Sequence, residues 1–117
     1  MPKSEKLRKG FEFDIIFRTG TRINGELVRL LYVKDAKSES IKYGCAVGKR
    51  QGKAHVRNRG RRILREAFRT VSGRIAPGTS IVLMLSDKGL ASKTQAISRE
   101  LERLLSRKKL LCSQRQQ

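Results

Sequence analysis

Arginine side chains dominate residues 54–71, a stretch whose apolar residues have helical spacing and which ends at Ser72-Gly73. Projected at ~100° per residue, the apolar side chains fall into one sector of this helix. That sector holds Val56, Ile63, Leu64, Ala67, Phe68 and Val71. Basic and polar side chains fill most of the remainder, namely Arg57, Asn58, Arg59, Arg61, Arg62, Arg65 and Arg69. The pattern predicts a helix that packs on the protein with one side and presents guanidinium groups on the other.

Four of these arginines repeat every four residues, at positions 57, 61, 65 and 69, with Glu66 as the one acid among them. Like charges at this spacing repel by about 0.2–0.5 kcal/mol per pair, whereas an ordinary solvated helix face mixes both signs. Bound phosphate would offset the repulsion, and a guanidinium group can grip phosphate with two hydrogen bonds or stack on an unpaired base. The helix therefore indicates nucleic-acid binding, and folded RNA suits its chemistry best.

DNA is the alternative ligand, because an arginine-rich helix also fits a major groove. The sequence shows neither a second helix at helix-turn-helix spacing nor a dimerisation heptad. These two features favour RNA over DNA.

The composition agrees with a polyanionic partner. The chain has 117 residues, enough for one domain, and 28 Lys and Arg against 10 Asp and Glu give a formal charge of +18. Its longest apolar run, Ile81–Leu85, is far shorter than the ~20 residues that a membrane span needs. We therefore expect a cytoplasmic protein with no membrane partner.

The sequence offers no constellation for catalysis by the protein itself. Its one histidine, His55, lies beside the arginines, and the ten acids are scattered without paired carboxylates or metal-ligand spacing. We interpret His55 as a helix-start or RNA-contact residue rather than a general base. No catalytic residue and no metal ligand are expected in the protein.

Hydrophobic periodicity and turn signals predict the remaining elements. Helices are expected at residues 4–19, at residues 54–71 and from Leu90 to about residue 106, the last behind a cap at Ser86 or Asp87. Strands are expected at Leu27–Val33, Ile41–Val47 and Thr79–Leu85, with a weaker signal at Thr21–Asn24. We expect one domain over residues 1–117, ordered at about 5–106, with a disordered basic tail at 107–117.

The first helix carries two apolar faces. Leu7, Phe11 and Ile15 share one stripe, while Phe13 and Phe17 share a different side. Buried aromatic residues are common, so both phenylalanines could belong to the core. Exposed aromatics could instead stack on unpaired bases, at ~1–3 kcal/mol per base.

At these residues the chain resembles the bacterial ribonuclease P protein family. That family has an Arg-Asn-Arg motif in its second helix, after a Lys-Lys/Arg…Gly…Ala run and before further basic positions and an aromatic. The matching residues are Lys49, Arg50, Gly52, Ala54, Arg57, Asn58, Arg59, Arg61, Arg62, Arg65 and Phe68. The opening is similar too, through Leu7, Arg8, Lys9, Phe13, Phe17 and Gly20. The resemblance covers about residues 5–106, with Gly60 as a departure at a position where a bulkier helix former is expected.

The resemblance implies an α+β fold, namely a single-domain α/β sandwich. It would contain three helices and a sheet of about four strands, in the order α-β-β-β-α-β-α. The architecture is ribosomal-protein-like. It includes a left-handed βαβ crossover through the second helix, against the general preference for right-handed crossovers.

The resemblance also implies a function, that of the non-catalytic protein subunit of an endoribonuclease whose catalytic site is in RNA. Its partners would be the ribonuclease P RNA and precursor tRNA, with Mg²⁺ held mainly by the RNA, and the protein would be monomeric outside the holoenzyme. Contacts to the catalytic RNA would come from Lys49, Arg50, Lys53, Arg57, Asn58, Arg59, Arg61, Arg62 and Arg65. Contacts to the 5′ leader of precursor tRNA would come from Phe13, Phe17, Val28, Leu30 and Tyr32.

A structural ribosomal or ribosome-assembly protein is the rival hypothesis, since such proteins share the small size, the high charge and this architecture. Leader dependence separates the two, because a ribosomal protein should bind precursor and mature tRNA equally poorly. A stand-alone protein nuclease is disfavoured by the missing catalytic constellation.

Overall fold

The computed structural model describes residues 4–6, 10–35, 37–47 and 52–111. Nine elements follow one another along the chain. They are β1 (Ser4–Lys6), α1 (Gly10–Thr19), β2 (Thr21–Asn24), β3 (Val28–Lys34), β4 (Ile41–Ala46), α2 (Ala54–Ser72), β5 (Thr79–Leu85), α3 (Asp87–Leu90) and α4 (Thr94–Arg107).

The strands form one mixed sheet in the order β1-β4-β5-β3-β2. β4 is parallel to both β5 and β1, whereas β3 is antiparallel to β5 and to β2. The connection from β4 through α2 to β5 is therefore the predicted βαβ unit. Its left-handed sense stays a prediction.

β5 lies in the middle of the sheet and is buried on both sides, so its alternating side chains enter two separate clusters. Ile81, Leu83 and Leu85 point to the side that carries α2 and α4, which we call the α2/α4 face. Val82 and Met84 point to the side that carries α1, which we call the α1 face.

The larger core lies between the α2/α4 face and those two helices. Leu64, Ala67, Phe68 and Val71 of α2 enter it together with the buried leucines and isoleucine of α4. The ring of Phe68 stacks on Tyr43 of β4, with centroids 4.6 Å apart. The apolar sector predicted for this helix is thus its buried side, and the predicted helix bounds agree to within one residue.

The α1 face has a much smaller apolar cluster. Ile16 of α1 is buried there against Leu31 and Val82, with Phe13 packed beside them. One ten-residue helix covers this face, whereas helices of 19 and 14 residues cover the other. Part of the α1 face therefore remains accessible.

The predicted strands are confirmed, including the weakly indicated one at Thr21–Asn24. Ser86 is also confirmed as a cap, since its side chain accepts a hydrogen bond from the Gly89 N–H at 3.0 Å. It caps the short helix α3, however, and a break at residues 91–93 separates α3 from α4. Leu90 thus lies outside the last helix, contrary to the prediction.

Two predictions at the chain ends are wrong. Residues 4–6 were expected in the first helix but form β1, which adds a fifth strand beside β4. The tail was expected to be disordered from Arg107, yet Leu110 is buried and residue 111 forms a β-bridge with Ile75. Residues 112–117 lie outside the described part of the chain. Within that part, none of the helices combines the length and the apolar character needed to cross a membrane.

A buried carboxylate joins α4 to the sheet. Oε2 of Glu100 accepts hydrogen bonds from the backbone N–H groups of Leu27 and Val28, at 2.7 and 2.8 Å. The Glu100 side chain is only 6% exposed, and Arg103 approaches its other oxygen at 3.4 Å. A Cβ on Gly25 would lie 2.4 Å from the same Oε2, so the absence of a side chain there lets the turn close on the carboxylate. Glu100 thereby holds the start of β3 against α4.

Replacing Glu100 by Ala should lower the free energy of unfolding by about 2–4 kcal/mol, because two backbone donors at a buried site lose their acceptor. Glu100→Gln keeps an acceptor oxygen and should cost only ~1 kcal/mol. The matched control is Glu102→Ala, which removes a half-exposed acid paired with Arg74 and should cost under ~1 kcal/mol. Urea unfolding measures all three, and equal losses for the two alanine variants would contradict the assignment.

Candidate nucleic-acid interface

The predicted arginine surface lies on α2, on the side opposite the core. Its members are exposed or half-buried, and we call them the arginine face: Asn58, Arg59, Arg61, Arg62, Arg65 and Arg69. Because Leu64 and Phe68 on the same helix are almost fully buried, the core fixes the rotation of α2 and hence the direction of the arginines.

The positive charge of this helix is not neutralised within the described part of the protein. Among the described residues, none of the arginines of α2 forms an ion pair with an acid. Arg61 donates a hydrogen bond to Oδ1 of Asn58. The Nε of Arg57 is buried without a hydrogen-bond partner. An anionic ligand can supply the negative charge that the exposed guanidinium groups lack.

The first turn of α2 adds to the positive charge of the arginine face. Lys53 stands at the N-cap without a side-chain cap bond, and no acid lies in the first turn, where acids usually complement the helix dipole. His55 is exposed in the same turn. The predicted contacts Lys49 and Arg50 lie outside the described residues.

Gly60 serves packing inside the protein. It is buried in the middle of α2, and a Cβ there would lie 3.1 Å from Cδ2 of Leu90 and 3.2 Å from Cγ2 of Val47. The glycine lets α2 approach the ends of β4 and β5 closely. Sequence periodicity missed it because a glycine lends no apolar signal to the core sector.

The second candidate surface is the α1 face, where the two phenylalanines differ. Phe13 is half-buried against Ile16, Leu31 and Val82, whereas Phe17 is 46% exposed. Phe13 thus partly fits the core reading, and Phe17 does not. Ile15 of the other apolar stripe is 48% exposed, and its neighbour Ile16 is the residue of α1 that is buried against the sheet.

The strand residues predicted to lie beside these phenylalanines are on the other side of the sheet. Val28 and Leu30 are fully buried in the α2/α4 core, and Tyr32 packs against that same core. They cannot line a surface shared with Phe13, so this part of the prediction is corrected. Side chains alternate along a strand, and a shift of one residue moves a whole set to the opposite face.

The α1 face instead takes the alternate positions of each strand. Half-buried apolar side chains there come from Val33, Ala46 and Met84, packed beside Phe13. Arg29 is exposed on the same face, since it pairs in register with Met84. Arg29 was the available signal, because a charged residue within an apolar strand marks the side that faces water.

Comparison with known proteins identifies the family. The model of the family described as Ribonuclease P matches residues 1–109. A ribonuclease P protein component from Chlamydia trachomatis serovar L2 is 40% identical over 83 residues, covering 71% of this chain and 68% of the relative. The chain belongs to the ribonuclease P protein family.

Solved structures of the family agree with the fold. The ribonuclease P protein from Thermotoga maritima superposes with a TM-score of 0.76 at 30% identity, covering 88% of this chain and 96% of that one. The protein from Staphylococcus aureus gives a TM-score of 0.79, covering 93% of this chain and 99% of the other, and at 22% identity it supports the fold alone.

Family membership raises the question of a metal ion. Within the described ranges, no group of three or more His, Cys, Asp or Glu side chains could hold one. These residues do not fit a magnesium site built by the protein, and we assign no chemical step to such a site.

The packing role of Gly60 predicts that its substitution affects stability and leaves RNA binding intact. Gly60→Ala gains up to ~1 kcal/mol of helix propensity against two tight methyl contacts, so stability should change by less than ~1 kcal/mol. Gly60→Val should cost about 1–3 kcal/mol by overpacking. Gly73→Ala is the control, because nothing lies within 4 Å of its Cβ. Urea unfolding and RNA titration check this, and a large loss of RNA affinity in folded Gly60→Ala would contradict it.

Proposed function

We propose that this protein is the protein subunit of ribonuclease P, which binds the catalytic RNA through α2 and the 5′ leader of precursor tRNA on the α1 face. The observation that carries the proposal is the arginine face of α2, rigidly oriented by the core and unneutralised, in a chain of the ribonuclease P family. Names of the relatives support the role in tRNA processing.

Binding of the catalytic RNA rests on the chemistry of α2. Arg59, Arg62 and Arg65 are exposed on one rigid helix, where planar guanidinium groups can take phosphates from irregular RNA backbone. Arg57 is half-buried on the same helix and would contribute its positive charge to the same ligand. The predicted set of RNA contacts therefore stands as proposed, with Lys49 and Arg50 beyond the described residues.

Binding of the leader rests on the α1 face, which offers both parts of a site for single-stranded RNA. Phe17 presents an exposed ring on which a base can stack, and Val33 and Met84 offer a half-buried apolar floor. Arg22 and Arg29 are exposed on adjacent strands and can contact the backbone. Val33, Ala46 and Met84 thus replace Val28, Leu30 and Tyr32 as the proposed strand contacts.

The protein's own contribution to the reaction is binding and orientation. The RNA would hold Mg²⁺, which activates water and stabilises the leaving oxygen when bound. The side chains of the protein would reduce phosphate repulsion where the leader meets the catalytic RNA and would keep the leader extended. Cleavage would then leave a mature tRNA with a 5′ phosphate.

The direct test is cleavage of 5′-labelled precursor tRNA at low magnesium by a bacterial ribonuclease P RNA. Adding the protein should restore correctly placed cleavage, and the protein without RNA should cleave nothing. Absence of rescue with several such RNAs would favour the ribosomal-protein alternative.

The variant Arg62→Gln with Arg65→Gln tests the α2 contacts. The measurement is the affinity of the protein for the ribonuclease P RNA at several salt concentrations. RNA affinity should fall by about tenfold or more, and the slope of log K against log salt should decrease by about 1.4–1.8, because each lost phosphate contact contributes 0.7–0.9. The matched control, Lys34→Gln with Lys37→Gln, removes the same charge from exposed positions near the β3–β4 turn. Equal effects of the two pairs would mean that only net charge matters.

Phe17→Ala tests leader binding, and Ile15→Ala is its control. The two side chains are almost equally exposed, at 46% and 48%, and flank Ile16 on opposite sides of α1. Phe17→Ala should weaken holoenzyme binding of precursor tRNA by about 1–3 kcal/mol if one base stacks there, with little change for mature tRNA. Ile15→Ala should leave both affinities unchanged. Equal losses in precursor and mature tRNA for Phe17→Ala would refute a leader contact.

A further inference from the structure

α4 carries a second row of arginines that the proposed function does not use. Arg99, Arg103 and Arg107 repeat at intervals of four residues, so ~6 Å separates successive positions along the helix axis. All three side chains are exposed. We call them the α4 basic stripe.

The acids of α4 neutralise only one of the three arginines of this stripe, Arg103. Glu100 is buried and bound to two backbone N–H groups of β3 and the preceding turn, and Glu102 pairs with Arg74 of the α2–β5 connection at 2.9 Å. Arg103 lies 3.4 Å from Glu100, whereas Arg99 and Arg107 pair with no acid in the described part of the chain. The stripe therefore keeps most of its charge for an external partner.

The stripe faces away from α2. Ser98 of α4 contacts Thr70 and the carbonyl oxygen of Ala67, which marks the side of α4 that packs on α2. At ~100° per residue, the stripe turns progressively away from that side, with Arg99, Arg103 and Arg107 about 100°, 140° and 180° around the helix from Ser98.

The arginine face of α2 is turned away from α4 in the same manner. Arg65 lies about 160° around α2 from Ala67, whose carbonyl oxygen marks the contact with α4. The two basic surfaces are therefore on opposite flanks of the α2–α4 layer, and one straight RNA helix lying along α2 would leave the α4 basic stripe uncovered.

The end of α4 adds a second observation. Lys109 has φ = 59°, in the left-handed region of backbone conformation. The helix ends there with two hydrogen bonds, from the Lys109 N–H to the carbonyl oxygen of Ser106 and from the Leu110 N–H to that of Leu105. Glycine is the usual residue at such a position, because a side chain there is strained. A lysine held in a strained conformation at the end of the helix that carries three exposed arginines points to a use for its charge outside the fold.

We propose that the α4 basic stripe, extended by Lys109, binds the phosphate backbone of a second RNA segment, so that the protein bridges two segments lying on opposite flanks of its helical layer. The contacts are to phosphate and independent of base sequence. This inference rests on the proposed function, since the first segment is the one bound by α2.

The test is the affinity of the full-length protein for a bacterial ribonuclease P RNA as a function of salt, and then the affinity of the assembled holoenzyme for precursor tRNA. Arg99→Gln with Arg107→Gln should weaken one of these affinities by about tenfold and decrease the corresponding salt slope by about 1.4–1.8. The control pair Lys34→Gln with Lys37→Gln should have a clearly smaller effect. If the α4 variant binds the ribonuclease P RNA more weakly, the second segment lies in the catalytic RNA. If only the affinity of the holoenzyme for precursor tRNA falls, the second segment lies in precursor tRNA.

Lys109→Gly separates binding from folding. Removing the strained side chain should raise the midpoint of urea unfolding and at the same time weaken RNA binding by about two- to threefold, a combination that a purely structural lysine would not give. If Arg62→Gln with Arg65→Gln weakens RNA binding while the α4 pair matches its control, the bridging proposal is overturned and the proposed function stands. If neither arginine pair exceeds the control, both are overturned.

Discussion

The alternation of side chains along three adjacent strands is the constraint on which the rest of the molecule depends. β5 lies between parallel β4 and antiparallel β3, so the register that sends Leu83 to one face sends Met84 to the other. Both faces are apolar and both need cover, but two longer helices cover one and a ten-residue helix covers the other. This unequal cover creates a rigid helical layer on one side and a partly open apolar surface on the other.

Acidic and basic side chains have different places in this architecture, several acids in contacts within the fold and the arginines on the outer sides of the helices. Glu100 is buried as an acceptor for backbone N–H groups, and Glu102 and Glu26 pair with cations at the surface. These three acids therefore consolidate the fold, while most arginines of α2 and α4 project outward without partners in the described residues. A protein with a formal charge of +18 and this separation of roles gains most from a partner that supplies phosphate.

The sequence predicted α2, its buried sector and its arginine face correctly, because a 19-residue amphipathic helix has a strong and redundant period. The sequence also predicted β3 and β5, but it did not predict which of their residues point to the α1 face of the sheet. Both faces of β3 are apolar, so Val28, Leu30 and Tyr32 look as suitable as Leu31 and Val33, and only Arg29 distinguishes them. β1 was missed because three residues gain their structure from pairing with β4, and Leu110 because its burial depends on the contact of residue 111 with Ile75.

The assignment of the leader to the α1 face is tested most directly at Met84, one of two methionines in the chain. Its side chain lies half-buried on the α1 face, so its methyl group reports on that face in methyl-labelled protein assembled with a bacterial ribonuclease P RNA. Addition of precursor tRNA should shift the Met84 methyl resonance, and mature tRNA should not, while the methyl groups of Leu30 in the opposite core should respond to neither. An unchanged Met84 resonance on saturation with precursor tRNA would contradict leader binding on the α1 face.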